Sequence, residues 1–336
     1  MSNPYNLGFG FYGGHDCDTI MKLVKASEEK EFSSVWIAED YFYGGAFSTA
    51  AACAVQTSKI QIGIGVINPF TRHPVLSAME SASLDALSKG RILLGLGASN
   101  KRWMEDMAGI PFKKPIQATK ECAIIIKELL GKGHIQFEGE IFKTGDVELD
   151  FKPYRKDLPI YLGVKGPNAL RIAGQIADGV LLSTMTSLPY VAYAKKHIKE
   201  GAESVGRDPS EIKISAYFPM HVDKDSKKAK QAVKEVVAKF VGIHGAHPIL
   251  TCTGMTEEQI MPFKEGVLKG KIATELVTDE MVDLLAIAGD PDECKAKLKA
   301  LNEAGVDDPV AFEVIGVDPM GSLQTISKYI LDQPLL

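Results

Sequence analysis

Short apolar runs of strand length alternate with helical patterns along nearly the whole of this 336-residue chain. Eight runs fit strands: residues 7–12, 34–38, 60–67, 91–96, 160–163, 179–183, 212–219 and 309–315. Helical patterns lie between them, at residues 18–31, 74–89, 115–130, 167–176, 189–205, 226–241 and 290–304. This alternation is typical of a sheet covered by helices. Eight such units predict a (β/α)8 TIM barrel, with an open doubly wound sheet as the alternative.

Proline and glycine mark several helix ends. Pro74 fits the first turn of a helix, and Gly131 and Gly305 fit C-terminal caps. Residues 290–293 read Asp-Pro-Asp-Glu, which resembles a capping box. These signals predict that one helix ends before Gly131 and another begins just after residue 290.

Three insertions interrupt the alternation. Residues 97–115 follow a strand, and residues 132–151 alternate apolar and polar side chains as a β-hairpin does. Residues 246–275 are too long for an ordinary connection and are predicted to form a lid or a ligand-facing subregion. Since no linker-like or low-complexity stretch occurs, the sequence predicts one barrel domain over residues 1–336.

Charge and cysteine content limit the functional classes. The net charge is −5 and the basic residues are scattered, which disfavours nucleic acid as a partner. The five cysteines are odd in number and far apart, which argues against disulfides and structural zinc, and the histidines show no metal-ligand spacing. The chain has neither a signal-peptide pattern at its N-terminus nor a long apolar run. We therefore expect a cytoplasmic protein with no membrane partner and no metal.

Small and polar residues follow several predicted strands. The carboxyl ends of barrel strands meet on one face, where active sites lie. Glycines there leave room for a flat or phosphorylated ligand; they are Gly63, Gly65, Gly95 and Gly97. Gly166, at the start of a helix, would expose backbone N–H groups to an anion or form an ordinary turn. The sequence thus predicts a cofactor site at this face.

Four polar residues near these strand ends are candidates for functional or structural roles. Glu39 and Asp40 could orient a ligand or move a proton, or cap the next segment. Arg72 fits an ion pair, and His73 fits either a helix cap before Pro74 or a packed position at a barrel end. The chain lacks the complete dinucleotide-binding, P-loop and G-x-S-x-G motifs, so a Rossmann dehydrogenase, a P-loop enzyme and a serine hydrolase are disfavoured.

Four segments together resemble the bacterial-luciferase-like superfamily: residues 66–74, 84–97, 159–167 and 173–179. They are most similar to the branch that includes methylenetetrahydromethanopterin reductase, whose cofactor is the deazaflavin coenzyme F420. The resemblance implies a TIM barrel with insertions, a homodimer or higher oligomer, and the deazaflavin ring on the C-terminal face. It also implies a cis peptide bond between Gly65 and Val66, at a bulge in the third strand.

The resemblance assigns roles to the strand-end residues. Glu39 and Asp40 would be catalytic, with Glu39 as the nearest proton relay. The cofactor would be bound by Asp40, Gly65, Val66, Asn68, Gly97, Ala98, Ser99, Gly163, Lys165, Gly166 and Pro167. Asp40 and Asn68 would hold the ring edge, and Gly166 and Pro167 the phosphate. Lys101, Arg102 and Lys165 would form one cluster that grips the acidic tail of the cofactor.

Two places in the sequence depart from the branch. Gly10 stands where the branch carries an acidic residue in the first strand, and Glu39-Asp40 stands where it usually has Asp-His. The leading hypothesis is an F420-dependent oxidoreductase that transfers hydride to or from a small organic substrate. The alternatives are an FMN-dependent monooxygenase and a flavin-binding barrel without catalysis. With Gly10 in place of the acid, slow reduction of the pterin substrate is expected.

Overall fold

A computed structural model describes residues 5–40 and 42–332 of the chain. Tyr41 and the two ends, residues 1–4 and 333–336, lie outside the described residues. The prediction about a signal-peptide pattern at the N-terminus and the outer limits of the predicted domain 1–336 therefore lie partly outside the described residues.

Eight parallel strands close into a barrel in chain order. They are β1 (Gly8–Phe11), β2 (Ser34–Ile37), β3 (Gln61–Ile67), β4 (Ile92–Gly97), β5 (Ile160–Gly163), β6 (Gly179–Leu182), β7 (Lys213–Val222) and β8 (Asp308–Phe312). Each strand pairs with the next, and β8 pairs with β1. The predicted TIM barrel is confirmed and the open sheet is wrong. The sequence reading missed a short strand, Ile287–Gly289, which pairs with the end of β7.

Helices cover the outside of the barrel. They are α1 (Cys17–Glu29), α2 (Ala46–Gln56), α3 (Pro74–Ser88), α4 (Pro115–Lys132), α5 (Pro167–Ile176), α6 (Leu188–Glu203), α7 (Ser226–His244) and α8 (Pro319–Ile330). Four further helices precede β8: Pro248–Thr251, Glu257–Leu268, Asp279–Leu285 and Pro291–Ala304. The sequence reading missed α2, α8 and the first three of these further helices. The α2 segment is rich in alanine and lacks a contrasting charged face, so its sequence shows little helical periodicity of hydrophobic residues.

The helix-boundary predictions succeed with one exception. His73 caps α3, where its Nδ1 accepts a hydrogen bond from the backbone N–H of Val75, and Pro74 lies in the first turn. Asp290 forms the predicted capping box, and Gly305 ends that helix with φ of +96°. Gly131 lies inside α4 instead of ending it. The left-handed cap belongs to Gly133, two residues later.

The barrel interior explains the glycines of β3 and β4. Aromatic side chains fill the interior, and a Cβ at Gly63 would overlap the ring of Trp36. A Cβ at Gly65 would overlap the hydroxyl of Tyr217, and one at Gly97 would overlap Val66. Gly63 and Gly65 accommodate aromatic side chains of the barrel interior, so the argument that they leave room for a ligand is wrong for these two. Gly97 accommodates Val66 and also lines a cavity.

The three predicted insertions contain defined elements. Residues 97–115 include a π-helix at Arg102–Met107. Residues 132–151 form a small hairpin that pairs His134–Ile135 with Val147–Glu148. Residues 246–275 include the helix Glu257–Leu268. Within the described part of the chain, no helix combines the length and apolar character needed to cross a bilayer.

Candidate cofactor site at the carboxyl ends of the strands

A cavity of about 350 Å³ lies at the carboxyl ends of β4 and β5, and we name it the β4–β5 cavity. Its walls are mainly apolar, with contributions from Leu162, Val164 and Ile172. Seven of the predicted cofactor residues line it: Val66, Gly97, Ala98, Ser99, Gly163, Lys165 and Gly166. This size is within the usual range for small-molecule sites. Residues from three different strand ends thus meet at one cavity.

One end of the β4–β5 cavity is basic. The Nζ of Lys165 lies 3.3 Å from Nδ1 of His244, whose Nε2 lies 2.9 Å from the carbonyl oxygen of Thr184. Burial lowers the pKa of Lys165, and burial followed by the charge of Lys165 lowers the pKa of His244 to about 3. Among residues 5–40 and 42–332, no carboxylate pairs with Lys165. Its charge is therefore available to an anion in the cavity.

The N-terminus of α5 adjoins the same basic end. Gly166 is the N-cap and offers no side-chain hydrogen bond, while Pro167 occupies the first turn. The first backbone N–H groups of a helix have no partner within the helix. His247 also lines the cavity, and burial followed by the charge of Lys165 lowers its pKa to about 4. At neutral pH the site therefore combines one lysine charge with helix N–H groups, and His247 is neutral.

Ser99 brings a hydroxyl to the cavity wall. Its backbone has φ of +62°, a conformation that is uncommon outside glycine. The Ser99 Oγ is buried and makes no hydrogen bond within the described ranges. Buried hydroxyls usually have a partner, so this one is available to a ligand in the cavity.

The third strand has the local geometry that the resemblance implies. The peptide bond between Gly65 and Val66 is cis. The pairing register of β3 with β4 shifts between Ile64 and Ile67, as at a bulge. The cis bond and the bulge are confirmed.

A second cavity of about 580 Å³, which we name the aromatic cavity, contains Asp40. It is lined by Tyr12, Trp103 and Phe240 together with Arg102 and Lys264. Burial raises the pKa of Asp40, although the backbone N–H of Gly13, 3.4 Å away, and the charge of Lys239 oppose this. The loop after β4 serves both cavities, since Ser99 lines the first and Asn100 the second.

Other predicted residues lie apart from the β4–β5 cavity. Glu39 forms an ion pair with Arg72 at 2.8 Å, which confirms the expected ion pair of Arg72. Asn68 is buried, and its side chain bonds the backbone N–H groups of Phe70 and Thr71. Gly65 faces the barrel interior. The structure therefore gives Glu39 and Asn68 intramolecular partners.

The expected tail-gripping cluster of three cations is wrong. Lys101 is exposed and pairs with Asp106 at 2.9 Å and with Glu105 at 3.4 Å. Arg102 lines the aromatic cavity and Lys165 lines the β4–β5 cavity. Lys101 therefore lies on the surface, and Arg102 and Lys165 line different cavities.

Sequence reasoning missed several residues near the cavities. It assigned His244 and His247 no role beyond the absence of metal-ligand spacing, although they lie beside Lys165. Glu313 directly follows β8, is 5% exposed, and lies 2.7 Å from Nε2 of His15. A glutamate inside the apolar run 309–315 was the available signal, since an unpaired charge is rarely buried there. Across the described residues, no group of three or more metal-ligand side chains is placed to hold a metal.

Comparison with known proteins agrees with this geometry. The sequence model for "Luciferase-like monooxygenase" matches residues 6–308. A 5,10-methylenetetrahydromethanopterin reductase of Methanolobus tindarius is 34% identical over 94% of this chain and 97% of its own length. The solved coenzyme F420 dependent tetrahydromethanopterin reductase of Methanopyrus kandleri has a TM-score of 0.88 at 32% identity, covering 98% of this chain and 99% of that one.

A more distant solved structure shows the fold alone. It is the oxygenating constituent of 3,6-diketocamphane monooxygenase from Pseudomonas putida, in complex with FMN. Its TM-score is 0.73 at 21% identity, covering 99% of each chain. Together with the family match and the relatives at 34% and 32% identity, the barrel establishes the family. The chain belongs to the bacterial luciferase-like family.

Proposed function

We propose that this chain is a coenzyme F420-dependent oxidoreductase that transfers hydride to a small organic substrate, with 5,10-methylenetetrahydromethanopterin as the first candidate. The observation that carries the proposal is the β4–β5 cavity, in which an apolar wall leads to a lysine that has no carboxylate partner among the described residues. The name of the solved relative at 32% identity includes coenzyme F420 and supports the choice of cofactor, and the name of the relative at 34% identity supports the choice of substrate.

The residues present fit a cofactor with a flat ring and an anionic tail. Val66, Gly97 and Gly163 form an apolar surface without protruding polar groups. Lys165 and the N-terminus of α5 lie at one end, where a phosphate would be stabilised by charge and by backbone N–H groups. The unpartnered hydroxyl of Ser99 adds a hydrogen-bonding group to the wall.

In this proposal each residue has a limited role. When bound, the deazaflavin supplies the hydride chemistry, and the protein supplies orientation and exclusion of water. Val66 would support the ring, and Lys165 with Gly166 and the start of α5 would hold the phosphate. Asp40 is the candidate group for holding or moving a proton, since its pKa is raised toward neutral pH relative to that of an ordinary aspartate. Glu39, already paired with Arg72, would keep Arg72 in place.

Two wider predictions belong to the same proposal. We retain one barrel domain with insertions at 97–115, 132–151 and 246–275, the third of which places Lys264 on the aromatic cavity. We also retain a cytoplasmic homodimer or higher oligomer. Exposed apolar side chains on the neighbouring helices α2 and α3 support self-association. They are Val55, Leu76, Met79 and Leu87. Analytical ultracentrifugation would measure the oligomeric state.

A comparison of cofactors tests the function. Purified protein is titrated with coenzyme F420 and with FMN, following fluorescence, and is then mixed without oxygen with reduced F420 and methylenetetrahydromethanopterin. We expect tighter binding of F420 than of FMN and formation of oxidised F420 in the mixture. The rate should be lower than that of a relative that keeps the first-strand acid, because Gly10 replaces that acid.

Two outcomes would contradict the proposal. Weak F420 binding with stoichiometric oxygen uptake in the presence of reduced FMN would identify the monooxygenase instead. Tight binding of oxidised and reduced cofactor without turnover of any pterin, aldehyde or alcohol would identify a binding protein.

A further inference from the structure

Gly10 lies where aromatic side chains already fill the barrel. A Cβ at Gly10 would lie 3.1 Å from Cε1 of Tyr217 and 3.2 Å from Cδ2 of Phe312. Both separations are tighter than ordinary van der Waals contact, so a longer side chain would displace these rings. A first-strand carboxylate at this position would therefore require Tyr217 and Phe312 to shift, so Gly10→Glu is not a simple way to restore one.

Tyr12 is the next residue along the same face of β1, at the mouth of the barrel. Its ring packs edge-on against Phe312, with 4.6 Å between ring centroids, and the Nζ of Lys239 lies 5.5 Å from the ring centroid. The Tyr12 hydroxyl is buried and has no hydrogen-bond partner in the described part of the chain. Because Tyr12 lines the aromatic cavity, a ligand there could supply the missing acceptor.

Glu313 fixes the backbone that carries Tyr12. The N–H of Glu313 donates to the carbonyl oxygen of Gly10 at 3.1 Å, which joins the ends of β8 and β1. One carboxylate oxygen of Glu313 accepts a hydrogen bond from the N–H of Tyr12. The other lies 2.7 Å from Nε2 of His15. A buried carboxylate with these two contacts holds the residues after β1 in one conformation.

We propose that the Tyr12 hydroxyl donates a hydrogen bond to the substrate in the aromatic cavity, and that Glu313 is the positioning residue that holds Tyr12 there. The substrate class is a flat heterocycle with a carbonyl oxygen or ring nitrogen near the reacting carbon and an acidic substituent. Trp103 and Phe240 provide aromatic surfaces, and Arg102 and Lys264 provide positive charge. This inference rests on the proposed function.

The protonation state of Tyr12 is consistent with this role. Burial, followed by the negative charges of Glu313 and Asp40, raises the pKa of the Tyr12 phenol. The phenol therefore remains a hydrogen-bond donor throughout the neutral range. Its contribution is to orient and polarise the acceptor atom, and no proton leaves it.

The first test removes only the hydroxyl. The variant Tyr12→Phe keeps the ring contact with Phe312. The control is Tyr154→Phe, because Tyr154 is exposed and lies at the opposite end of the barrel. F420 affinity should stay unchanged in both variants. With reduced F420 and methylenetetrahydromethanopterin, kcat/KM should fall about tenfold in Tyr12→Phe, the loss expected for one hydrogen bond. The Tyr154→Phe value should match wild type.

The second test separates positioning from a general structural role. Glu313→Ala removes the acceptor for the Tyr12 N–H and should lower kcat/KM, whereas Glu313→Gln keeps an acceptor oxygen and should recover part of that loss. Adding Tyr12→Phe to Glu313→Ala should cause little further loss. A wild-type value of kcat/KM in Tyr12→Phe would overturn this inference and leave the proposed function standing. Wild-type protein that binds F420 but reduces no pterin would overturn the proposed function, and the inference with it.

Discussion

A buried carboxylate with several donors at one end of the barrel contrasts with a buried hydroxyl at the other, which lacks a partner within residues 5–40 and 42–332. At the amino end of the strands, the carboxylate of Asp308 accepts hydrogen bonds from Ser33 at 2.7 Å and Ser34 at 2.9 Å. The Trp36 Nε1 and the Ser215 hydroxyl add longer ones at 3.2 and 3.4 Å. At the carboxyl end, the Ser99 hydroxyl has no partner among the described residues.

The difference separates stability from binding. A buried carboxylate is tolerated when several donors surround it, and together such groups specify one arrangement of the strands. A partly buried lysine without a carboxylate is costly to the fold, but an anionic ligand can pair with it. We therefore expect changes at Asp308 to act on folding and changes at Lys165 or Ser99 to act on binding.

The largest effect is expected at the amino end. Asp308→Ala leaves the donors of Ser33, Ser34 and Trp36 without their acceptor, and should lower the free energy of unfolding by about 3 kcal/mol. Urea unfolding followed by circular dichroism measures this. Asp308→Asn, which keeps the shape and one acceptor oxygen, should lose less. A loss of F420 affinity in folded Asp308→Ala protein would contradict the division between the two ends.

A smaller effect, on binding, is expected at the carboxyl end. Lys165→Met should weaken F420 binding about 10- to 100-fold, because a charged hydrogen bond to the phosphate is lost. Lys101→Met is the matched control, since Lys101 pairs with Asp106 on the surface, and it should bind as wild type does. Equal losses in both variants would restore the rejected cluster of tail-binding cations.

The pH dependence of wild-type binding sharpens the same prediction. The pKa values of His244 and His247, about 3 and about 4, keep both imidazoles neutral from mildly acidic pH upward. The pKa of Lys165 is lowered, so its proton is lost at a lower pH than that of an ordinary lysine. F420 affinity should therefore be flat around neutral pH and fall on the alkaline side, and this fall should be absent in Lys165→Met.

The smallest effect is expected at Ser99. Removing its hydroxyl should weaken F420 binding about threefold, as expected for one neutral hydrogen bond. Ser99→Ala and Ser99→Gly both lack the hydroxyl, so their affinities should be equal. Ser99→Gly should be the more stable of the two, because glycine adopts a φ of +62° without strain. Unchanged affinity in both variants would remove Ser99 from the site.

The barrel could be predicted because its strands are local patterns. Each strand is a short apolar run bounded by turn residues, and seven of the helices carry a clear period or terminal signals. The helix α2 could not, because its alanines pack closely without an alternating polar face. The helices Pro248–Thr251 and Glu257–Leu268 were obscured by prolines and glycines, although Thr256 and Gln259 form a capping box.

In the candidate site too, some features follow from local sequence patterns and others do not. The strand pattern was enough to predict that residues after β3, β4 and β5 share one face, since the carboxyl ends of parallel strands must meet there. It was not enough to predict which charged side chains lie close together, because that depends on the folded barrel. His244, on α7, reaches Lys165 across 79 positions of sequence, while Lys101 and Arg102, which are adjacent, have different surroundings. Such pairings depend on side-chain direction and on packing between distant elements, which no local pattern encodes.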